Sequence, residues 1–334
     1  MKPLFITAGI LLLIGLVLFG GACIINGGFS GEKAFDTKNV PVEENFSSIS
    51  IDADTTDISF LPSTDEKCTV ELFEKKKLPH MVSVKNDTLT VTKAEKKWYD
   101  YINFFNFSTP KITVYLPAAE YQRLSIKGST GDISVSRNFK FDTLDIKLST
   151  GKVMLEGIKA NTIGITLSTG DTTLNEIECS GNIRIQSSTG DTSLRKTNSA
   201  SISITASTGD ISVSTVDCTG DISIKNSTGK STLTDVRCEN LITEASTGDL
   251  QMTSVIANKK FSIERDTGDV RFDRCDAAEI LVETDTGNVS GTLLTDKIFI
   301  TRTDTGTIRV PESTQGGKCK ITTDTGNITV SILD

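Results

Sequence analysis

From residue 129 to the C-terminus, apolar and polar positions alternate in short runs that recur at a fixed interval. In Ser207-Thr208-Gly209-Asp210-Ile211-Ser212-Val213, Ile211 and Val213 alternate with polar neighbours. Val216 and Cys218 alternate again, Thr219-Gly220-Asp221 marks a turn, and Ile222 with Ile224 forms a third pair before the next Ser-Thr-Gly. Alternation of this kind predicts half-buried strands. The same frame holds Ile177 and Cys179 with Ile183 and Ile185, and Val255 and Ala257 with Phe261 and Ile263. The triplet that opens each unit, Ser/Asp-Thr-Gly, occurs eleven times. Its glycines are Gly131, Gly151, Gly170, Gly190, Gly209, Gly229, Gly248, Gly268, Gly287, Gly306 and Gly326, separated by 19 or 20 residues. Short strands in units of this size cannot bury their faces alone; stacking the units buries them. The pattern therefore predicts an all-β fold, a parallel β-solenoid or β-helix of about eleven 19–20-residue coils. At about 4.8 Å per coil the rod is on the order of 50 Å long. The repeat glycine suits a corner that needs positive φ, so the eleven glycines are structural residues in this reading.

Residues 46–128 alternate as well, at Ile49 and Ile51, Val70 and Leu72, Val82 and Val84, Leu89 and Val91, and Ile112, Val114 and Leu116. Ile51-Asp52-Ala53-Asp54-Thr55-Thr56-Asp57-Ile58 echoes Ile126-Lys127-Gly128-Ser129-Thr130-Gly131-Asp132-Ile133, with Thr56 in the glycine's place. This region reads as an N-terminal β cap with one degenerate coil, continuous with a solenoid over 129–334. No such cap follows Gly326, and the uncapped C-terminal end is a candidate site of self-association.

Residues 4–25 carry no charge, and a 22-residue helix is long enough to cross a bilayer core. We read 1–3 as a cytoplasmic tail, 4–25 as one transmembrane helix and 26–45 as a linker. The expected localisation is the cell membrane, single-pass, with the N-terminus cytoplasmic and the bulk of the chain extracellular. Two rivals stay open. One is a cleaved signal peptide, although no small-x-small cleavage site follows the apolar run. The other is lipidation at Cys23, although Gly20 stands where a lipobox needs an aliphatic residue.

Composition narrows the chemistry. The hydrophobic share is 37%, low for a globular chain but sufficient for a thin tube. His80 is the single histidine, which removes most histidine-based metal sites and serine-histidine chemistry. A net charge of −8 argues against nucleic acid. Asp-Thr-Gly at Asp266, Asp285, Asp304 and Asp324 matches the aspartic-protease string, but here Asp takes the frame that Ser holds in other copies. A second acidic column follows the glycine at Asp132, Asp171, Asp191, Asp210, Asp249 and Asp269. Solvent and basic residues such as Arg265, Arg271 and Arg302 could screen these columns, or they could hold Ca²⁺ loosely. Cys68, Cys179, Cys218, Cys238, Cys275 and Cys319 show no CxxC spacing and read as buried, reduced thiols. No catalytic, metal-ligating or cofactor-binding set is expected. Residues 97–107 hold six aromatics, Trp98, Tyr99, Tyr101, Phe104, Phe105 and Phe107, and read either as part of the cap or as a contact surface.

An N-terminal membrane segment, the Ile-Ser-Ile-Asp-x-Asp-Thr-x-Asp-Ile opening, Trp-Tyr-Asp-Tyr-Ile and the Ser-Thr-Gly-Asp units resemble the bacterial "putative adhesin" β-strand-repeat family, over about residues 45–334. The resemblance implies a membrane-anchored solenoid with no assigned activity. The expected function is non-enzymatic adhesion or scaffolding in the bacterial cell envelope. Its partners would be the membrane, cell-wall glycan or another envelope protein. The alternative is an accessory or sensor in envelope-stress signalling, as some relatives imply. A polysaccharide-active β-helix enzyme is a remote third reading, because a 19–20-residue period leaves no room for groove-forming loops.

Overall fold

The computed structural model describes residues 15, 35–75, 79–93 and 109–333. Among the described residues every element with defined bounds is a strand. From Glu120 to Thr286 each strand pairs in parallel with its copy 19 or 20 residues away, for example Ile146 with Ile126 and Ile165, and Ile204 with Ile185 and Ile224. The result is a parallel β-solenoid of about ten turns. Inward positions stack into ladders: in one coil Ile211, Val213, Val216, Cys218, Ile222 and Ile224 are all 3% exposed or less. One such tube accounts for the low hydrophobic share, since every outward position is free to be polar.

Each coil turns twice at special backbone positions. At the first corner the repeat glycine adopts φ of 126–159°, except Gly287. A side chain is excluded there for a second reason, because the corner glycines stack backbone on backbone. A Cβ on Gly209 would lie 2.6 Å from the Gly190 carbonyl carbon and closer still to its oxygen. The other bend follows six residues after the glycine and uses ordinary residues in the left-handed region: Glu176, Lys196, Thr215, Asp235, Ser254 and Arg274, at φ 50–56°. Gly157 fills the corresponding place in an earlier coil, and in the coil before it the left-handed residue is Asn138, seven residues after Gly131. A β-branched residue pays most there, because its Cβ substituents crowd the carbonyl. Exposed Thr215 replaced by Asn should therefore raise stability by about 0.5–1 kcal/mol, read as a shifted urea midpoint at unchanged slope.

The two ends of the rod depart from chain order. At one end, Ser48–Thr55 lies between Thr88–Lys93 and Glu120–Thr130, parallel to both. Ile51 pairs with Ile126 and Thr55 with Thr130, so Thr56 stands directly beneath Gly131. Antiparallel strands close this end: His80–Lys85 on Thr88–Lys93, Cys68–Lys75 on Lys111–Leu116, and Phe35–Val42 on Cys68–Lys75. Residues 35–42, read from the sequence as linker, are thus a strand. At the other end, Gly317–Thr325 pairs with Val270–Thr286 on one side and Lys297–Thr305 on the other. The corner order is Gly287, Gly326, Gly306: Gly287 N donates to Thr325 O at 3.0 Å and Gly326 N to Thr305 O at 2.9 Å. The C-terminal segment is inserted, and the earlier segment 297–309 is the outermost rung. That rung is incomplete, because Ile308–Arg309 is only two residues long before Pro311. This leaves about ten full turns where spacing alone predicts eleven.

Candidate functional site

The acidic column after the glycine has a clear structural task. Each carboxylate accepts the backbone N–H of the next coil. Asp57 Oδ1 accepts from Asp132 N at 3.0 Å, Asp132 from Lys152 N at 2.8 Å, Asp191 from Asp210 N at 2.8 Å, Asp210 from Lys230 N at 2.8 Å and Asp249 from Asp269 N at 2.9 Å. The ladder continues through Asn288 to Asn327 N and through Asn327 to Thr307 N, both at 2.9 Å, in the inserted order. A charge-assisted bond to an amide offsets the repulsion of stacked carboxylates. Among the described residues, no three His, Cys, Asp or Glu side chains gather as a metal set. Asp266, Asp285, Asp304 and Asp324 are exposed on the outer face, and Arg302 Nη2 pairs with Asp304 at 3.0 Å.

Arg265 is a correction to the sequence reading. It does not screen the acidic columns from outside. Its side chain points into the tube, 1% exposed, between Ala245 and Thr284 on the neighbouring rungs. None of its three guanidinium nitrogens has a hydrogen-bond partner, and burial lowers its pKa to about 10. At the equivalent place three residues before the glycine, Asn226, Thr303 and Thr323 donate to corner glycine carbonyls at 2.9–3.1 Å.

The six cysteines from Cys68 to Cys319 are free and buried. Burial pushes their thiols up, to about 12 at Cys68, Cys238 and Cys319, which keeps them protonated and unreactive. Cys218 follows Ser199 in an inner column of small residues that runs through Ala160 and Cys179 and, further on, Cys238, Ala257 and Ala277. Trp98, Tyr99, Tyr101, Phe104, Phe105 and Phe107 lie outside the described residues, as does the span 4–25 apart from Gly15. Among the described residues no helix is long and apolar enough to cross a membrane.

The surface over that small-residue column forms an open groove of about 850 Å³. Tyr121, Phe141, Ala160 and Cys179 lie along it, flanked by two exposed rows. One row is Glu120, Lys140, Lys159 and Glu178; the other is Gln122, Asp142, Asn161 and Ser180. Adjacent rungs tie these groups in place: Lys140 to Glu120 at 2.5 Å, Lys159 to Glu178 at 2.7 Å, Asn161 Nδ2 to Asp142 at 3.3 Å and Ser180 Oγ to Asn161 at 3.2 Å. Donors and acceptors therefore recur along the rod at the rung spacing. Aligning the coils shows the signal, a polar side chain on either side of each inward residue, but single coils do not.

A family model described as Toastrack DUF4097 matches residues 46–234 and 215–334. The chain belongs to the Toastrack DUF4097 family. No curated protein matches it. Among solved structures, a putative adhesin from Bacteroides fragilis is 15% identical, covering 90% of this chain and 98% of that one, with a TM-score of 0.35. A putative lipid binding protein from Parabacteroides distasonis is 14% identical, over 91% and 98%, with a TM-score of 0.36. A putative adhesin from Parabacteroides merdae is 10% identical, over 91% and 98%, with a TM-score of 0.28. Superpositions this loose lend no weight to any site. The Toastrack repeat itself, glycine corner, aspartate cap and inner ladder, is a stacking device, and the groove stands apart from it.

Proposed function

We propose that this Toastrack protein is a non-enzymatic adhesion or scaffold protein of the cell envelope, anchored through residues 4–25 and presenting its rod outside the membrane. The observation that carries the reading is the groove over Ala160 and Cys179. Its amide, carboxylate, ammonium and hydroxyl groups sit on successive rungs of a rigid stack, held there by the ion pairs and hydrogen bonds described above. Regularly spaced hydrogen-bonding groups flanking a narrow apolar floor that carries Tyr121 and Phe141 suit a linear polyhydroxylated chain such as cell-wall glycan. The corner carboxylates, by contrast, are engaged with backbone amides.

The test is co-sedimentation of the purified full chain, in detergent, with insoluble cell-wall glycan. Replacing Lys140, Asp142 and Asn161 together with Ala is expected to weaken binding roughly tenfold or more, since each lost hydrogen bond is worth about 0.5–1.5 kcal/mol. All three side chains are exposed, so the melting temperature should hardly move. Equal binding by wild type and variant would remove the groove from the function. Absence of glycan binding, with an altered envelope-stress response on deletion, would favour the signalling role.

A further inference from the structure

We propose that two copies of this chain join end to end through the outermost rung, by antiparallel pairing of Lys297–Thr305 with its own copy. Among the described residues this strand pairs only with Gly317–Thr325, so its other edge is unpaired. The rung also leaves the tube open. Ile308 stacks on Ile328 and Val289, which are 0% exposed, yet Ile308 itself is 42% exposed. Phe299 stacks on Cys319 and Ile280, both 0% exposed, and is only half-buried, as is Val310. These residues occupy core positions of a rung that has no neighbour on one side. An edge strand over an open core is what solenoids ordinarily cover.

The edge strand points to a second copy as its cover, because Arg302 stands two residues before Asp304 and the strand is complementary in charge to an antiparallel copy of itself.

Charge favours one register. A two-fold axis at Thr303 sets Arg302 of each copy opposite Asp304 of the other, giving two cross-strand pairs. It brings the Phe299 and Ile308 ends of the two rungs together. Pro311 limits the pairing to this strand, since it has no N–H to donate.

The register is tested by cross-linking in the full chain, in detergent, with Cys23→Ser as background. Residues facing each other across a two-fold axis in an antiparallel pair lie about 4.5–5.5 Å apart at Cα, within disulfide range. Thr303→Cys should form a cross-linked dimer under mild oxidation. Met81→Cys, 56% exposed on the capped end, should not. Arg302→Asp sets like charges opposite each other twice and should weaken the dimer about tenfold in sedimentation. The double swap Arg302→Asp with Asp304→Arg should restore it. A monomeric wild-type chain by sedimentation, with no Thr303→Cys dimer, overturns the proposal. So does an Arg302→Asp variant that dimerises as well as wild type. Neither result depends on glycan binding.

Discussion

Replacing Gly209 with Ala is expected to destabilise the rod by more than about 4 kcal/mol, a loss that few single substitutions reach. Two independent costs add. The backbone at Gly209 has φ 136°, a region that residues with a Cβ occupy only at about 1–3 kcal/mol of strain. The new Cβ also lies against the Gly190 carbonyl, which is backbone and cannot turn aside. The two coils must separate, and the bonds from Gly190 N to Thr208 O at 2.9 Å and from Asp210 N to Asp191 Oδ1 at 2.8 Å stretch with them. Gly164→Ala is the matched control. Gly164 lies within the strand Lys159–Thr169 without positive φ, and its Cβ would meet the flexible Asp145 carboxylate at 3.3 Å and the Leu144 carbonyl oxygen at an ordinary 4.0 Å. That variant should stay within about 0.5 kcal/mol of wild type. Hydrogen exchange should localise the Gly209 effect to the coils on either side, because in a solenoid each repeat touches only its neighbours. If Gly209→Ala unfolds like wild type, the backbone-on-backbone corner is wrong.

The glycine spacing shows why the stack was legible in the sequence. Period and inward frame are both carried by local residues, so Ile211, Val213, Ile222 and Ile224 could be placed without knowing their neighbours. The echo between Ile51 and Ile126 was legible for the same reason. The order of the last rungs was not. Gly306 and Gly326 carry equivalent signals, and nearly equivalent rungs can stack in either order. Only the interruption between Arg309 and Gly317 marks the place where the chain steps outward and returns. The left-handed corner at Thr215, Asp235 and Ser254 was also hidden, since none of these residues announces positive φ. The groove depends on rows that pair across coils, and becomes visible only once register is known. Arg265 is a different case. Its inward frame could be read from Phe261 and Ile263, but its charge drew it to the outer surface in the sequence reading.

That charge makes Arg265→Met the substitution expected to stabilise the protein most. A guanidinium that burial holds down at about 10, well below its usual range, carries a penalty on the charged form on the order of 3 kcal/mol. Nothing nearby offsets it through a hydrogen bond: the hydroxyls of Thr243 and Thr284 also lack partners, and Ala245 offers only a methyl group. A thioether of similar length keeps the packing, removes the buried charge and leaves no new polar atom in need of a partner. The expected gain is about 1–3 kcal/mol, seen as a rise of several degrees in melting temperature. Its pH dependence follows from linkage. The folded-state pKa is the lower one, so the unfolded chain binds the proton more tightly. Wild-type stability then rises with pH only above about 10. The advantage of Arg265→Met should therefore be constant from pH 6 to 9 and shrink above about pH 10. Arg265→Ala separates charge from volume, because it removes the same charge but leaves a cavity, and should gain less than Met. A less stable Arg265→Met protein would mean that the guanidinium bonds across the tube, as Asn226 does to the Gly209 carbonyl, and that this coil is held by the group that here stands unpaired.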